Sequence, residues 1–184
     1  VCAAWRLLDR RQESRMSDVV SSAFTALYVP FLASFVVLML AAWRSPWVFV
    51  VFELMVIAND TGGWALGVLF GKHPMAPALS PKKSWEGFAG SALTSTAVGV
   101  VGLWLLGASW WWGVVAGVAI AFVGTMGDLT ESLIKREAGL KDMSQILPGH
   151  GGVLDRVDAL LMSAPVAYFI FAWALPGISW ESSH

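Results

Sequence analysis

Residues 87–127 read GFAGSALTSTAVGVVGLWLLGASWWWGVVAGVAIAFVGTMG, a run of 41 residues without a charged side chain. A single membrane-spanning helix needs about 20 mostly apolar residues, so this run is long enough for two such helices. Residues 107–109, Gly-Ala-Ser, form the natural break between them. The run therefore predicts two consecutive helices that cross a membrane.

The composition of the whole chain also indicates a membrane protein. Of its 184 residues, 57% are hydrophobic and 14% are charged, and the mean hydropathy is +0.65. A soluble domain usually carries about 25% charged residues. The composition excludes an ordinary cytosolic domain, a disordered chain and a nucleic-acid binder that relies on net positive charge. The single cysteine, Cys2, excludes a disulfide framework and a cysteine-built metal site.

Three further apolar segments complete the predicted bundle, and Pro30 is expected to kink the first of them. The predicted spans are about 19–43, 46–70, 87–106, 110–134 and 156–178. We therefore expect an all-α integral membrane protein, a polytopic bundle of about five transmembrane helices within residues 19–180. Residues 1–18 are expected to form a cytoplasmic N-terminal segment, and residues 181–184 a C-terminal tail.

The basic residues indicate how the bundle is oriented. Cytoplasmic segments next to membrane spans carry an excess of Lys and Arg. Eleven of the 12 Lys and Arg residues fall before residue 19 or in the connections at 71–86 and 135–156, and only Arg44 falls on the other side. These segments are therefore predicted to be cytoplasmic. Tryptophans near the opposite helix ends predict an interfacial belt: Trp43, Trp47, Trp104, Trp110, Trp111, Trp112, Trp173 and Trp180.

Small residues recur at every fourth position in the third and fourth predicted spans. The stripes are Gly87, Ser91, Ser95 and Gly99, and then Gly113, Gly117 and Ala121. Small residues at this spacing let helix backbones approach closely in a membrane. The stripes predict helix packing and carry no chemistry, and a dimer formed through them is plausible.

Two acids, Glu53 and Asp60, lie inside the second predicted span, seven residues apart on one helical face. Acids at membrane depth are costly and usually face a cavity or a partner. Asp60 lies in an Asn-Asp-Thr triplet followed by two glycines, which favours a functional role. The alternative is a buried acid paired with a cation or hydroxyl of another helix, and this is the favoured interpretation for Glu53.

Two helix ends on the predicted cytoplasmic side each present acids. Asp128 lies near the end of the fourth span, and Asp155 and Asp158 share a face at the start of the fifth. Facing carboxylates repel each other unless a cation lies between them, and hard oxygen ligands suit Mg²⁺. The alternative is a pair of salt bridges, Asp128 with Lys135 and Asp155 with Arg156.

The two polar connections supply candidates for phosphate binding. The backbone N–H groups of the glycines in Pro148–Gly152 can cradle a phosphate, and His150 among them fits a general base, a hydrogen-bond donor to phosphate or a solvent-exposed linker residue. The two lysines of Ser80–Lys83 fit a polyphosphate or anionic lipid head groups. Together with an Asp-held Mg²⁺, these are features of a phosphoryl or nucleotidyl transferase.

Ser132–Asp158 reads SLIKREAGLKDMSQILPGHGGVLDRVD, and this stretch resembles the signature of the phosphatidate cytidylyltransferase (CDP-diacylglycerol synthase) family. Asp60–Gly63, Phe70–His73, Ser80–Gly87 and Gly127–Leu129, with Glu131 and Ser132 after it, are also similar to family motifs. The resemblance covers roughly residues 20–175 and corresponds to the C-terminal catalytic portion of the family.

The resemblance implies a Mg²⁺-dependent transfer of CMP from CTP to phosphatidate, giving CDP-diacylglycerol and pyrophosphate for phospholipid synthesis. It implies a cell (inner) membrane protein whose active site faces the cytoplasm, with CTP, phosphatidate and membrane lipids as partners and no nucleic acid, and it makes a homodimer more plausible. Because the chain begins at Val1 without an initiator methionine, we expect it to be a piece of a longer protein.

Two other functions remain open from the residues alone. The first is a cytidylyltransferase for another lipid phosphate, such as an isoprenoid one, because phosphate-binding motifs do not identify the lipid tail. The second is an ion-coupled transporter that uses Glu53, Asp60 and Asp128 as a cation path; this predicts carboxylates spread across the membrane depth.

The resemblance also implies which residues bind cations. Asp128 and Asp155 are the expected metal ligands, with Asp158 as a third ligand or a more distant acid. Asp60 is expected to serve a second cation or the cytidine side of the nucleotide.

The remaining implied roles concern phosphates. Ser80, Lys82 and Lys83 are expected to hold the nucleotide triphosphate. Substrate phosphates and the leaving pyrophosphate are expected to contact the second cytoplasmic connection and its flanking helix ends: Lys135, Arg136, Lys141, His150, Gly151, Gly152 and Arg156.

Overall fold

A computed structural model describes the backbone of residues 30–43, 45–77, 80–137 and 151–175. Within these ranges, the description leaves out the side chains of residues 81, 82, 131–137 and 151–159. Three predicted parts lie outside the described residues: segments 1–18 and 181–184, and residues 19–29 of the first predicted span. The kink expected at Pro30 stays a prediction, because the described chain begins at that residue.

The described residues form five helices and one β-hairpin. In chain order these are α1 (Pro30–Ala42), α2 (Pro46–Phe70), β1 (Pro74–Ala76), β2 (Ser80–Ser84), α3 (Trp85–Leu105), α4 (Trp110–Glu137) and α5 (Gly151–Ala174). Three helices, α2, α3 and the Trp110–Thr130 part of α4, are long and apolar enough to cross a membrane. The expected helical bundle is confirmed, with the hairpin as an addition.

The start of α3 shows why the helix begins before the uncharged run. Ser84 precedes the helix with extended backbone, and its hydroxyl accepts a 3.1 Å hydrogen bond from the N–H of Gly87. This is N-capping, which satisfies a backbone donor that the first helical turn leaves without a partner. Glu86 in the first turn is also favourable there, because the helix N-terminus carries partial positive charge.

The break between α3 and α4 lies where the sequence predicts it. α3 ends at Leu105, α4 begins at Trp110, and Gly107 has φ +88°. A side chain rarely accommodates this left-handed conformation, and glycine adopts it without steric cost. The long uncharged run is therefore folded back on itself at one glycine.

Small residues bring α2, α3 and α4 together, which confirms that the stripes serve helix packing. A Cβ placed on Gly62 of α2 would lie 2.8 Å from the carbonyl oxygen of Gly90 on α3. A Cβ on Gly99 of α3 would lie 2.8 Å from the carbonyl oxygen of Gly113 on α4. Both distances are shorter than real Cβ contacts, so these backbones approach closely only because side chains are absent.

Two hydroxyl groups of α3 fix its register against α2. Ser91 donates a 2.7 Å hydrogen bond to the carbonyl oxygen of Asn59, and Thr94 donates one of 2.7 Å to the carbonyl oxygen of Ala58. Hydrogen bonds of this kind connect transmembrane helices because no water competes for the carbonyl oxygens. They hold the segment of α2 that leads into Asp60.

The apolar core lies mainly in the half of the bundle opposite the hairpin. It includes completely buried side chains from all five described helices: Met39, Phe52, Met55, Leu103, Ile120 and Phe171. Many large apolar side chains on the outside are exposed, among them Leu93 and Phe122, as expected for helices that face lipid.

Most described tryptophans of the predicted belt are exposed, and their place at a membrane interface stays a prediction. Five of its members are exposed: Trp47, Trp104, Trp110, Trp111 and Trp173. Trp43 is buried, and its ring packs edge-on against Tyr168, 5.5 Å between centroids. The prediction is wrong for Trp43, because α5 covers the end of the segment that follows α1.

Candidate active site

A short β-hairpin connects α2 to α3 at the end of the bundle where the predicted site lies. β1 pairs antiparallel with β2, with Pro74 opposite Ser84 and Ala76 opposite Ser80 and an irregularity between them. The sequence predicts only a polar connection here. Prolines at positions 74, 77 and 81 argue against a strand, so no sequence signal identifies the hairpin.

The hairpin brings a lysine onto an acid of α4. The ammonium group of Lys83 on β2 contacts a carboxylate oxygen of Asp128. Both side chains are partly shielded, with 27% and 39% of their surface exposed. The two residues are 45 positions apart in the sequence and belong to two separately predicted motifs. Their contact is the main evidence that the hairpin and the end of α4 form one site.

Asp60 lies next to this region on α2. The side-chain amide nitrogen of the buried Asn59 donates a 3.2 Å hydrogen bond to a carboxylate oxygen of Asp60. Asn59 in turn packs against Gly124 of α4, where an added Cβ would lie only 2.9 Å from that amide nitrogen. Gly124 is one helical turn before Asp128. Asp60 and Asp128 therefore belong to neighbouring turns of two packed helices.

Asn59 is a polar residue that the sequence analysis did not single out for this position. Its side-chain oxygen is buried and has no hydrogen-bond partner among the residues that the structure describes. Its signal in the sequence is the Asn-Asp-Thr triplet inside an apolar helix, which marks the place without showing which side chain is buried.

Glu53 does not share the environment of Asp60. Its side chain is exposed on the outer surface of α2, beside the exposed Leu54 and Ile57. The expectation that Glu53 is a buried, paired acid is therefore wrong within the described residues. Residues seven apart in a helix of 3.6 residues per turn differ in direction by about 20°, so Glu53 and Asp60 lie on nearly the same face of α2. Their exposure differs because neighbouring helices cover Asp60 more than Glu53.

The helix ends that carry the other predicted metal ligands also meet. α5 packs antiparallel to α4, and a Cβ on Gly127 would lie 2.9 Å from the sulfur of Met162. Asp158 precedes Met162 by one helical turn, so the α5 backbone carries Asp158 and Asp155 toward the Asp128 end of α4. The positions of their carboxylate groups remain predictions.

Several other predicted site residues lie at this end but are described only as backbone. Lys82 belongs to β2, Lys135 and Arg136 belong to the last turns of α4, and Gly151, Gly152 and Arg156 belong to the first turns of α5. Ser80, also on β2, is half-buried. Lys141 and His150 lie outside the described residues.

The donor chemistry is compatible with Mg²⁺ as far as it is described. Within the described part of the chain, no three His, Cys, Asp or Glu side chains come together as a metal site. Of the three predicted ligands, the side chain of Asp128 is described, and its carboxylate already holds a cationic group, Lys83. A carboxylate that attracts a cation is the kind of hard oxygen ligand that Mg²⁺ prefers.

A second side-chain contact to a carboxylate at this end was not predicted. The ring Nδ1 of His73 and carboxylate oxygen Oε1 of Glu86 are 2.6 Å apart, and the backbone N–H of His73 donates to Oε2 at 3.3 Å. The backbone N–H of Trp85 donates to the carbonyl oxygen of His73 at 3.0 Å. The partners are separated by the hairpin, so spacing along the sequence gives no sign of them.

Helices able to span a membrane, with a lysine–carboxylate contact toward one end of the bundle, define an integral membrane protein. The chain matches the model of the Cytidylyltransferase family over residues 1–174, and it belongs to this family. The resemblance recognised in the motifs is confirmed.

Three curated relatives of the chain share one name. The chain is 44% identical over 184 residues to the phosphatidate cytidylyltransferase of Mycobacterium bovis, covering 92% of this chain and 60% of the relative. It is 44% identical to that of Mycobacterium tuberculosis (strain H37Rv), covering 92% and 56%. It is 42% identical over 125 residues to that of Haemophilus influenzae, covering 64% and 43%. The chain therefore spans 60% or less of the length of these relatives.

Proposed function

We propose that the protein containing this chain transfers CMP from CTP to phosphatidate, giving CDP-diacylglycerol and pyrophosphate. The observation that carries the proposal is the contact between Lys83 and Asp128, which joins a predicted triphosphate-binding lysine to a predicted metal ligand. The names of the curated relatives support phosphatidate as the lipid substrate.

The electrostatics of the site suit a triphosphate. Phosphoryl and nucleotidyl transfer depend mainly on positioning and on neutralising negative charge. Lys83 is partly buried, so its charge is less screened by water than that of an exposed lysine. Its ammonium group would hold a phosphate oxygen beside Asp128, and Ser80 and Lys82 on the same strand would extend this contact along the triphosphate.

The expected cofactor is Mg²⁺, which Asp128, Asp155 and Asp158 would hold. When bound, the ion would neutralise charge on the triphosphate and on the leaving pyrophosphate. The phosphatidate oxygen would attack the α-phosphorus of CTP, and the bond between the α- and β-phosphates would break. Cations on the ends of α4 and α5, among them Lys135 and Arg156, would hold the phosphates. The assignment of Asp60 to a second cation or to cytidine stays part of this proposal.

The two alternative functions, a cation transporter and a cytidylyltransferase for an isoprenoid phosphate, lack support for different reasons. A cation path through the membrane is not supported, because Glu53, which would have to line it, is exposed on the outside of α2. An isoprenoid phosphate as acceptor has no observation in its favour, whereas the relatives' names favour phosphatidate.

The location and assembly are further parts of the proposal. We expect an inner-membrane protein with its active site toward the cytoplasm, because the lysines of the hairpin lie at one end with the other predicted cytoplasmic segments. The small-residue stripes pack within the chain, so they lend no support to the homodimer that they were expected to favour.

The test is a turnover assay on the complete protein in detergent. We expect pyrophosphate release only when CTP, Mg²⁺ and phosphatidate are all present, and not when an isoprenoid phosphate replaces phosphatidate. Asp128→Asn is expected to abolish release, while Glu53→Gln, the same chemical change at a remote exposed carboxylate, is expected to leave it unchanged. Release that continues at the wild-type rate in a folded Asp128→Asn protein would refute the proposal.

A further inference from the structure

The pair formed by His73 and Glu86, here called the clamp, closes the base of the hairpin. The carboxylate of Glu86 receives two contacts from one residue, the ring of His73 at 2.6 Å and its backbone N–H at 3.3 Å. His73 immediately precedes β1, and Glu86 lies in the first turn of α3. The clamp therefore ties the chain entering the hairpin to the helix that follows it.

The hairpin needs such a tie. Two-stranded hairpins are marginally stable by themselves, and here the strands are three and five residues long with an irregularity between them. Among the described residues, the base is also joined by the backbone hydrogen bond from Trp85 to His73 and by the N-cap of Ser84. The clamp differs from both because its acceptor is a carboxylate, and hydrogen bonds to a charged acceptor are stronger than those between neutral groups.

Lys83 lies three residues before Glu86, on the strand that the clamp secures. Because β2 passes directly into α3, a change in the angle at which the strand leaves the helix moves the Lys83 ammonium group relative to Asp128. The clamp fixes that angle from the other strand. Its location is outside the Lys83–Asp128 contact, so its effect on the site is indirect.

We propose that Glu86, acting through His73, is a positioning residue that holds Lys83 against Asp128 in the geometry that receives the triphosphate. The inference rests on the proposed function for the role of Lys83, while the positioning itself is a statement about the hairpin. It predicts that loss of the clamp weakens nucleotide binding more than it slows the chemical step.

The kinetic test uses the complete protein and separates positioning from general stability. Glu86→Ala is expected to raise the KM for CTP about three- to tenfold with little change in kcat, and Glu86→Gln, which keeps a hydrogen-bond acceptor, is expected to restore part of the loss. Combining Glu86→Ala with Lys83→Ala is expected to be no worse than Lys83→Ala alone. The proposal would be overturned if the double variant lost kcat/KM for CTP by the product of the two single losses. It would also be overturned by an unchanged KM for CTP in Glu86→Ala.

A second measurement does not depend on turnover. Spin labels at Pro77→Cys in the hairpin turn and Thr130→Cys on the exposed side of α4 report the distance between hairpin and helix by electron paramagnetic resonance. The background carries Cys2→Ser and serine at any cysteine of the complete protein outside these 184 residues. Glu86→Ala is expected to broaden the distance distribution, and the control Glu53→Gln is expected to leave it unchanged.

The two measurements distinguish the possible failures. An unbroadened distribution in Glu86→Ala would overturn the positioning role whatever the activity. A broadened distribution in a protein that shows no CTP-dependent turnover even as wild type would support the positioning role and contradict the proposed function.

Discussion

The closest backbone approach of α2 and α3 gives a prediction whose size can be worked from the structure. A Cβ added at Gly90 would lie 2.5 Å from the carbonyl oxygen of Gly62 and 2.8 Å from the Cβ of Leu66, where ordinary contacts are 3.4–4 Å. The first neighbour is backbone and cannot rotate away. To accept Gly90→Ala, the two helices must separate by roughly 0.5–1 Å, the difference between these distances and normal carbon contacts.

The cost follows from the kind of change. Overpacking a tight contact destabilises a protein by about 1–3 kcal/mol, and the upper part of this range, about 2–3 kcal/mol, applies here because the closest neighbour is backbone. Alanine favours helix over glycine by roughly 1 kcal/mol, which offsets part of this cost. A net loss of about 1–2 kcal/mol corresponds to a fall in the melting temperature of roughly 2–8 °C for a chain of this size. The substitution also disturbs the segment of α2 that carries Asp60, so we expect CTP turnover to fall with it.

The assay is thermal unfolding in detergent, followed by turnover at a temperature where both proteins are folded. Ala89→Leu is the control, because Ala89 is the neighbouring residue on the exposed side of α3 and surface substitutions usually change stability by less than about 0.5 kcal/mol. If Gly90→Ala melts at or above the wild-type temperature, and the control Ala89→Leu melts close to the wild-type temperature, the close approach of α2 and α3 at Gly90 is refuted.

Three further changes test other features of the fold and site. Ser84→Ala removes the N-cap of α3 and should cost about 1 kcal/mol, seen as faster hydrogen exchange at the amide of Gly87. Gly107→Ala should cost about 1–2 kcal/mol by thermal unfolding, because its backbone is left-handed although the space around it is open. Gly124→Ala should lower CTP turnover more than stability, because the new methyl displaces the amide of Asn59 and hence its neighbouring carboxylate; turnover and melting are measured on the same sample.

Each of these has an outcome that would contradict it. Unchanged exchange at Gly87 in Ser84→Ala would mean that the hydroxyl does not cap the helix. An unaltered melting temperature in Gly107→Ala would mean that the turn does not need a left-handed residue. Normal turnover in Gly124→Ala would remove Asn59 from the account of the site.

The helices were predictable from sequence because burial in lipid requires long apolar runs, and such runs are local. The α2 helix occupies Pro46–Phe70, the bounds of the second predicted span, since charge or turn residues stop the apolar pattern at both ends. The small-residue stripes were predictable for the same reason, because their spacing is that of one helix face. The spacing does not show which helix packs against each stripe, because that depends on the tertiary structure.

The sequence allowed the residues of the site to be predicted, but not how they are arranged in space. Lys83 and Asp128 were expected in one site, and they are in contact. The hairpin that carries Lys83 was missed, because its strands contain prolines and no alternating pattern. The clamp was missed because its two partners meet only when the hairpin forms. The exposure of Glu53 depends on which face of α2 its neighbours cover.

The most direct test of the account measures CDP-diacylglycerol by mass spectrometry after the complete protein reacts with CTP and phosphatidate, for wild type, Lys83→Ala and Glu53→Gln. The loss of one group that stabilises the reacting charge typically costs about 100- to 1,000-fold in rate. We expect a loss of about this size in kcat/KM for CTP in Lys83→Ala, whose melting profile stays unchanged, and a normal rate in Glu53→Gln. A folded Lys83→Ala protein that forms CDP-diacylglycerol at the wild-type rate would contradict it.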